Sequence, residues 1–207
     1  LSMNNATAHD KKQQQDYQAL APFEIKTVRE SVGWRLVENE RGYDFSSVAE
    51  KMASAKENGI QICWTICHYG WPENIAFFSD EFISRFAELC GALATFLRPY
   101  YDEAPVYSPV NEISFTSWGI SVGIFAPSLS PLDPTGIHSK RQLVRAAIAA
   151  SDAIWQADPR ARLLHCDPII HLVPEDDSAD AQQRASDWHG AQFQAWDMLE
   201  TARRASR

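Results

Sequence analysis

The sequence has few basic residues and no run of them. Lysine and arginine together number 19, against 27 aspartates and glutamates, and the net charge is −8. A surface that binds nucleic acid needs clustered positive charge, because contacts to phosphate supply much of the affinity. The composition therefore argues against DNA or RNA as a partner.

Long apolar runs are missing as well. A membrane-spanning helix needs about 20 consecutive apolar residues, and no stretch approaches that length. The N-terminal stretch LSMNNATAHDKKQQQ also has no apolar core of the kind found in secretory signal peptides. We therefore expect no membrane partner and a cytoplasmic location.

Paired cysteines are absent. The four cysteines are Cys63, Cys67, Cys90 and Cys166, and none of them forms a CxxC pair. The histidines are not spaced to complete a zinc site with them. Cys63 and Cys67 lie inside an apolar run, where a free thiol behaves as a small hydrophobe. We therefore expect no metal site.

What the chain does have is an alternation of apolar and amphipathic segments. Its 207 residues and hydrophobic fraction of 45% fit one soluble domain. Four apolar segments have the length of strands, and they are Phe23–Val28, Ile60–Cys67, Val106–Val110 and Arg162–Cys166. The nearly continuous apolar run IQICWTIC is typical of a parallel strand that is covered on both faces.

Helical patterns separate these strands. The predicted helices run over His9–Leu20, from Ser47 to Asn58, from Ser79 to about Leu97, from Ser139 to Asp158 and from Ala181 to Arg204. At Ser47 and Ser139 a hydroxyl is followed three positions later by Glu or Gln, which is the form of a capping box. The proline-containing stretch Ile113–His138 is predicted to be a long loop.

The order of elements is a helix followed by four strand–helix units. Such alternation predicts a parallel sheet with helices outside it. A complete eight-unit barrel typically needs about 250 residues, so this chain is too short for one. We therefore predict that residues 1–207 form one partial (β/α)8 TIM-barrel domain of the α/β class, which contains strands two to five.

The segment PVYSPVNEISFTSW places an amide and a carboxylate at the end of a predicted strand. In α/β barrels this end of the strands carries the chemistry. Glu112 could protonate a leaving oxygen, and Asn111 could hydrogen-bond a hydroxyl. Phe115 and Trp118 could cover the apolar face of a sugar ring. The alternative is a strand that ends in an ordinary polar loop.

Three segments together resemble a known group of enzymes. TVRESVGWRLVE, ICWTICHYGWPENI and YSPVNEISFTSWG are similar to the second, third and fourth strand ends of clan A glycoside hydrolases. The similarity is greatest to the β-glucosidase-like branch around glycoside hydrolase family one, and it extends over about residues 20–200. It implies a retaining O-glycoside hydrolase with a carbohydrate substrate. Two carboxylates and water suffice for that chemistry, so no cofactor is expected.

By position, the resemblance gives roles to four polar residues. Glu112 matches the general acid/base, and Asn111 matches the amide that binds the sugar 2-hydroxyl. His68 matches the histidine of the H-x-x-x-P motif, which binds a sugar hydroxyl, and Pro72 matches its proline. Arg29 matches the arginine that keeps the nucleophile ionised. Without the resemblance, Arg29 could be a strand-end ion pair and His68 an interior histidine with satisfied hydrogen bonds.

Other candidates have less support. Trp71 and Trp118 could contact the substrate or could only pack the loops. His165, Asp167 and His171 lie near the end of the fifth strand and could line the pocket, although no motif supports them.

The chain departs from the family in three respects. The catalytic nucleophile of the family, a glutamate after the seventh strand, has no counterpart here, and the first-strand residues that bind the non-reducing sugar are also missing. Pro109 lies inside a predicted central strand, where proline removes a ladder hydrogen bond.

Two functions therefore compete. In the first, the chain is part of a β-glucosidase-like hydrolase. In the second, it is a catalytically inactive half-barrel that binds sugar or serves in assembly. The second function favours a homo-oligomer, because a partner would cover the open edges of the sheet.

Overall fold

A four-stranded parallel sheet forms the centre of the fold. The computed structural model describes residues 6–205. The strands of the main sheet are β1 (Thr27–Ser31), β4 (Gln61–Cys67), β5 (Val106–Val110) and β6 (Arg162–Leu163). Their order in the sheet is β1-β4-β5-β6, and each neighbouring pair is parallel. A two-stranded antiparallel ribbon of β2 (Glu38–Asn39) and β3 (Gly42–Tyr43) lies between β1 and β4 in the sequence.

Helices connect the strands, as the alternating pattern predicted. They are α1 (His9–Gln18), α2 (Trp34–Val37), α3 (Ser46–Glu57), α4 (Asp80–Leu97), α5 (Ile113–Ser121), α6 (Ile137–Ala157), α7 (Ala179–Ala191) and α8 (Gln194–Ala205). Helices α4 and α6 pack along each other, and both contribute to one apolar core with the buried residues of β4. Each fully buried Leu, Ile or Phe side chain there contributes about 1.5–3 kcal/mol.

Four predicted elements differ from the structure. The strand predicted over Arg162–Cys166 extends only over Arg162–Leu163. The first strand runs over Thr27–Ser31 and not over Phe23–Val28, because Ala21–Phe23 forms a 3-10 turn, and Arg29 therefore lies inside the strand and not at its end. The last helix is two helices, α7 and α8, which are separated at residues 192–193. The predicted loop 113–138 contains α5, whose buried residues recur at helical spacing, a pattern that the flanking prolines obscured.

The two predicted capping boxes are wrong. Helix α3 begins at Ser46, whose N–H donates to the Asp44 carboxylate at 2.9 Å. Helix α6 begins at Ile137 after the N-cap residue Gly136, and the Asp133 carboxylate caps its first turn by accepting from the Ser139 N–H at 2.7 Å. The predicted start of α4 at Ser79 is confirmed, and the Ser79 hydroxyl caps the helix by accepting from the Phe82 N–H.

Pro109 lies within the central strand β5. It has no N–H to donate, and its nitrogen faces a region where the hydrogen bonding between β5 and β6 has ended. Along β5, the carbonyls of Pro105 and Tyr107 accept from β6 N–H groups. Pro109 is in phase with these two residues, so its nitrogen also faces β6. Strand β6 ends at Leu163, which leaves no regular strand pairing beside Pro109.

A buried ionic cluster joins β1 to the helices outside the sheet. Glu30 is only 9% exposed. It accepts hydrogen bonds from the Tyr17 hydroxyl at 2.8 Å and from His9 Nε2 at 2.9 Å, and it pairs with Lys51 Nζ at 3.1 Å. Because side chains alternate along a strand, the neighbouring Arg29 points to the opposite face. The cluster therefore sets the orientation of Arg29.

The Asp133 cap gives a pH-dependent prediction. Burial alone would raise the pKa of Asp133, but hydrogen bonds from Ser139 and His138 outweigh it and lower that pKa below its usual value. Stability from a carboxyl with a lowered pKa is present above the unfolded-state pKa and is lost as the pH falls through the folded-state pKa. Asp133→Asn should therefore lower the free energy of unfolding by about 1 kcal/mol at pH 7, and by progressively less below pH ~4.

Urea denaturation of the parent and the variant across this pH range measures the effect. Asp152→Asn, on an exposed part of the same helix, is the matched control and should be neutral at both ends of the range. An equal loss of stability for Asp133→Asn at pH 7 and pH 3 would contradict the assigned role of the carboxylate.

Candidate active site

The candidate site lies where the loops leave the C-terminal ends of β4, β5 and β6. Parallel pairing continues past the ends of these strands. The Asn111 N–H donates to the Cys67 carbonyl at 2.9 Å, and the Glu112 N–H donates to the Cys166 carbonyl at 3.1 Å. These bonds align the starts of the three loops, so residues that follow different strands can meet.

A chain of hydrogen bonds joins five side chains at this edge. Arg29 Nη2 donates to Thr65 Oγ1 at 2.9 Å and also to Asn111 Oδ1. Asn111 Nδ2 donates to the Tyr69 hydroxyl at 2.9 Å. The Tyr69 hydroxyl in turn donates to Glu112 Oε2. Arg29, Asn111 and Glu112, which were all predicted from the sequence, therefore lie in one connected set.

Both ends of the last hydrogen bond have unusual backbone conformations. Tyr69 has φ +62° and Glu112 has φ +47°, in the left-handed region that non-glycine residues rarely adopt. Glu112 is also the N-cap residue of α5. Its carboxylate therefore lies near the positive end of the helix dipole. Such conformations tend to cluster at functional sites, because the surrounding structure must hold them in place.

His68 lies beside this set, on the ring of Tyr69. The two ring centroids are 4.4 Å apart, with an edge-on arrangement. Partial burial lowers the pKa of His68, and the positive charge of Arg29 lowers it further, while Glu112 acts in the opposite direction. The imidazole is therefore neutral at pH 7, and it can both donate and accept hydrogen bonds.

The two predicted tryptophans lie in different surroundings. Trp71 packs on Phe77 and Phe82, with centroid distances of 4.7 Å and 5.6 Å. Trp118 lies on α5 beside Phe115, at 5.5 Å. The structure brings Trp118 close to the aromatic side of the site, whereas it places Trp71 against the apolar core.

Tyr69 is the site residue that sequence reasoning missed. It immediately follows His68 in the H-x-x-x-P segment, and that position was its only signal in the sequence. Its ring stacks on Phe125, with centroids 4.7 Å apart and planes inclined by 12°. Phe115 meets the same ring edge-on at 5.9 Å. The aromatic contacts hold Tyr69 in the orientation that reaches Glu112.

An apolar cavity of about 670 Å³ adjoins α5. Phe115 and Trp118 form part of one wall, and Trp188 of α7 forms part of another. The one ionisable side chain in the lining is Lys140, whose amine donates to the Ala191 carbonyl at 2.7 Å. This bond lies at the C-terminal end of α7, where a cation is favourable. The amine therefore has a structural partner.

The remaining candidates of the fifth strand end are dispersed. Asp167 accepts the Ser114 N–H at 2.8 Å and so anchors the start of α5. Burial is the main cause that raises the pKa of Asp167. His165 is partly buried and His171 is exposed. Among residues 6–205, no group of three or more His, Cys, Asp or Glu side chains is arranged to hold a metal ion.

Gly119 of α5 leaves the space that Phe125 occupies on Tyr69. A Cβ atom at Gly119 would lie 2.3 Å from Phe125 Cδ2. Gly119→Ala should therefore displace Phe125 and lower the free energy of unfolding by about 1–3 kcal/mol. Gly190→Ala in α7 is the matched control, because its Cβ would meet no atom within 4 Å. Chemical denaturation that finds both variants equally stable would contradict this packing.

Comparisons with known proteins bear on the fold. No protein-family model matches the sequence, and no curated protein matches it. Solved structures do match it. The family 1 β-glucosidase from Thermotoga maritima has a TM-score of 0.76 and 16% identity over 87% of this chain. The AHE enzyme from Alicyclobacillus herbarius has a TM-score of 0.77 and 16% identity over 89% of this chain. Virulence factor SghA from Agrobacterium tumefaciens has a TM-score of 0.75 and 17% identity over 89% of this chain.

This chain spans only part of each of these structures, 42% of the first two and 43% of the third. At such low identity the likeness concerns the fold. It confirms the partial (β/α)8-barrel fold that the sequence predicted. The chain has the fold of part of a (β/α)8 barrel of the kind found in family 1 β-glucosidases of clan A.

Proposed function

We propose that this chain supplies the acid/base part of a retaining, β-glucosidase-like O-glycoside hydrolase. The observation that carries the proposal is the continuous set of hydrogen bonds from Arg29 to Glu112 at the C-terminal edge of the sheet. The fold likeness to β-glucosidases adds support, because barrel enzymes build their active sites at that edge. The proposed substrate is a carbohydrate, and the reaction needs no metal or organic cofactor.

Glu112 is the proposed general acid and base. In the first step its proton passes to the glycosidic oxygen as the bond from that oxygen to the anomeric carbon breaks. A second carboxylate, which residues outside this chain would supply, forms a bond to the anomeric carbon from the opposite face. In the second step Glu112 takes a proton from water, and the water oxygen displaces that carboxylate.

The proposed substrate contacts follow from the groups that remain available. Asn111 Oδ1 accepts from Arg29, but the Asn111 amide has a second N–H that can donate to a sugar hydroxyl. His68 is neutral and partly exposed, which suits a hydrogen bond to another hydroxyl. Arg29 would place a positive charge near the nucleophile, which favours the ionised form.

Trp118 is the better supported of the two tryptophans as a substrate contact. It borders the apolar cavity next to α5, where it could cover the departing group of the substrate. Trp71 is also proposed as a contact, but its packing on Phe77 and Phe82 favours a role in holding the loop.

The remaining parts of the proposal concern location and partners. None of the helices in residues 6–205 has both the length and the apolar character to cross a membrane. With a net charge of −8, the chain is a poor candidate for binding nucleic acid. We propose that the protein acts in the cytoplasm on a carbohydrate substrate.

A second candidate function has one observation in its favour. Strands β1 and β6 form the two edges of the main sheet. Near these edges, Phe23 is 74% exposed and Ile169 is 77% exposed. A second copy of the chain could cover these surfaces, and the half-barrel would then serve in sugar binding or assembly without catalysis.

Analytical ultracentrifugation of the 207-residue chain distinguishes the two candidates. The assembly function predicts a sedimenting mass near twice 23.3 kDa. A folded monomer at micromolar concentration would count against that function. The hydrolase function predicts instead that the natural protein is longer than this chain, which its intact mass would reveal.

Glu112→Gln tests the hydrolase proposal in the natural protein that carries this chain. Loss of the acid should reduce turnover of phenyl β-glucoside by about 100-fold or more. Cleavage of the glycosidic bond in 2,4-dinitrophenyl β-glucoside should fall much less, because that leaving group needs little protonation. Glu103→Gln, at an exposed site before β5, is the matched control and should leave both rates unchanged. Equal rates for Glu112→Gln and the parent on the phenyl glycoside would reject the proposal.

A further inference from the structure

We propose that Tyr69 is a positioning residue for Glu112. In this arrangement the phenol holds carboxylate oxygen Oε2, so that Oε1 is the oxygen that exchanges a proton with the substrate. The catalytic part of this inference rests on the proposed hydrolase function. The hydrogen-bond arrangement itself can be tested without any activity.

The direction of the hydrogen bonds follows from the chemistry of the groups. A guanidinium has only donors, so the atom of Asn111 that meets Arg29 must be the amide oxygen. The amide nitrogen then faces the Tyr69 hydroxyl and donates to it. The phenolic oxygen accepts that bond, and its single proton is directed to Glu112. The positive charge of Arg29 therefore orients the whole chain of bonds toward the carboxylate.

The phenol keeps its proton across the working pH range. Burial is the main cause that raises the pKa of Tyr69, and the hydrogen bond to Glu112 raises it further. The donor to Oε2 is therefore always present. Because a donor to a carboxylate oxygen favours its ionised form, Oε2 is the less favourable oxygen for the proton, and Oε1 is left for exchange.

The surroundings hold Tyr69 in place. Phe125 stacks on one face of the ring, and His68 lies edge-on at 4.4 Å. The backbone of Tyr69 is in the left-handed region, as is that of Glu112. Strained conformations of this kind persist only where neighbouring groups determine them. The cost of holding both residues in this form is explained if their hydrogen bond has a function.

Other titratable groups also face this pair. His68 lies on the same loop, Arg29 reaches the pair through Asn111, and Cys166 and Asp167 follow β6 on the other side. All of these groups are retained when the Tyr69 hydroxyl alone is removed. Tyr69→Phe therefore isolates the effect of one donor while the ring and its packing remain.

The first test is ¹³C NMR at pH 7 of the 207-residue chain labelled at the glutamate carboxyl groups. Glu112→Gln identifies the resonance of Glu112. In Tyr69→Phe the chemical shift of this resonance should change, because the carboxylate has lost a hydrogen-bond donor. Tyr107→Phe is the matched control. It removes a buried hydroxyl with no hydrogen-bond partner among the described residues, and the chemical shift of Glu112 should stay unchanged. An unchanged chemical shift in Tyr69→Phe would overturn the inference.

The second test uses the natural protein that carries this chain. The alkaline limb of its pH profile for kcat/KM on phenyl β-glucoside should move to higher pH in Tyr69→Phe, because the ionised form of the catalytic carboxyl has lost a hydrogen-bond donor. The kcat on this substrate should fall about 10-fold, while the 2,4-dinitrophenyl glycoside is cleaved at nearly the parental rate. An unmoved limb in an active enzyme would overturn the positioning role. A parent protein without hydrolysis would reject the proposed function but would leave the NMR result to decide the hydrogen bond.

Discussion

The alignment of three strand ends is the constraint on which the candidate site depends. Two backbone hydrogen bonds beyond β5, from Asn111 to Cys67 and from Glu112 to Cys166, hold the loop starts side by side. Without them, Tyr69 and Glu112 would belong to separate loops that are free to move apart. Parallel pairing serves this purpose well, because all strands present the same end to one edge of the sheet.

The two faces of β1 show how the outer layer supports the inner site. On the outer face, Glu30 is buried among Tyr17, His9 and Lys51. Loss of these partners would leave a buried carboxylate without a compensating charge or hydrogen bond. Because side chains alternate along the strand, the adjacent Arg29 points to the other face, where its guanidinium donates to Asn111. The ionic cluster is therefore remote from the site but contributes to its geometry through the alternation of the strand.

Patterns that depend on local sequence were the most predictable. The predictions of the central strand Val106–Val110 and of the helix start at Ser79 were correct, because an apolar run and an amphipathic stripe are local signals. The capping boxes at Ser47 and Ser139 were wrong, because both helices begin before these serines, and upstream carboxylates, Asp44 and Asp133, accept from N–H groups at the helix starts. Helix α5 was missed because the prolines that follow it suggested a loop.

The sequence by itself determined the α/β alternation and placed His68, Asn111 and Glu112 directly after strands, because the apolar run of a strand and the polar residues that follow it are consecutive in the chain. Only the tertiary structure decided that Tyr69, 43 positions from Glu112, donates to its carboxylate. It also separated Trp71, which packs on the core, from Trp118, which borders the cavity. Contacts of this kind depend on how loops from different strands pack together, and no periodicity within one segment encodes them.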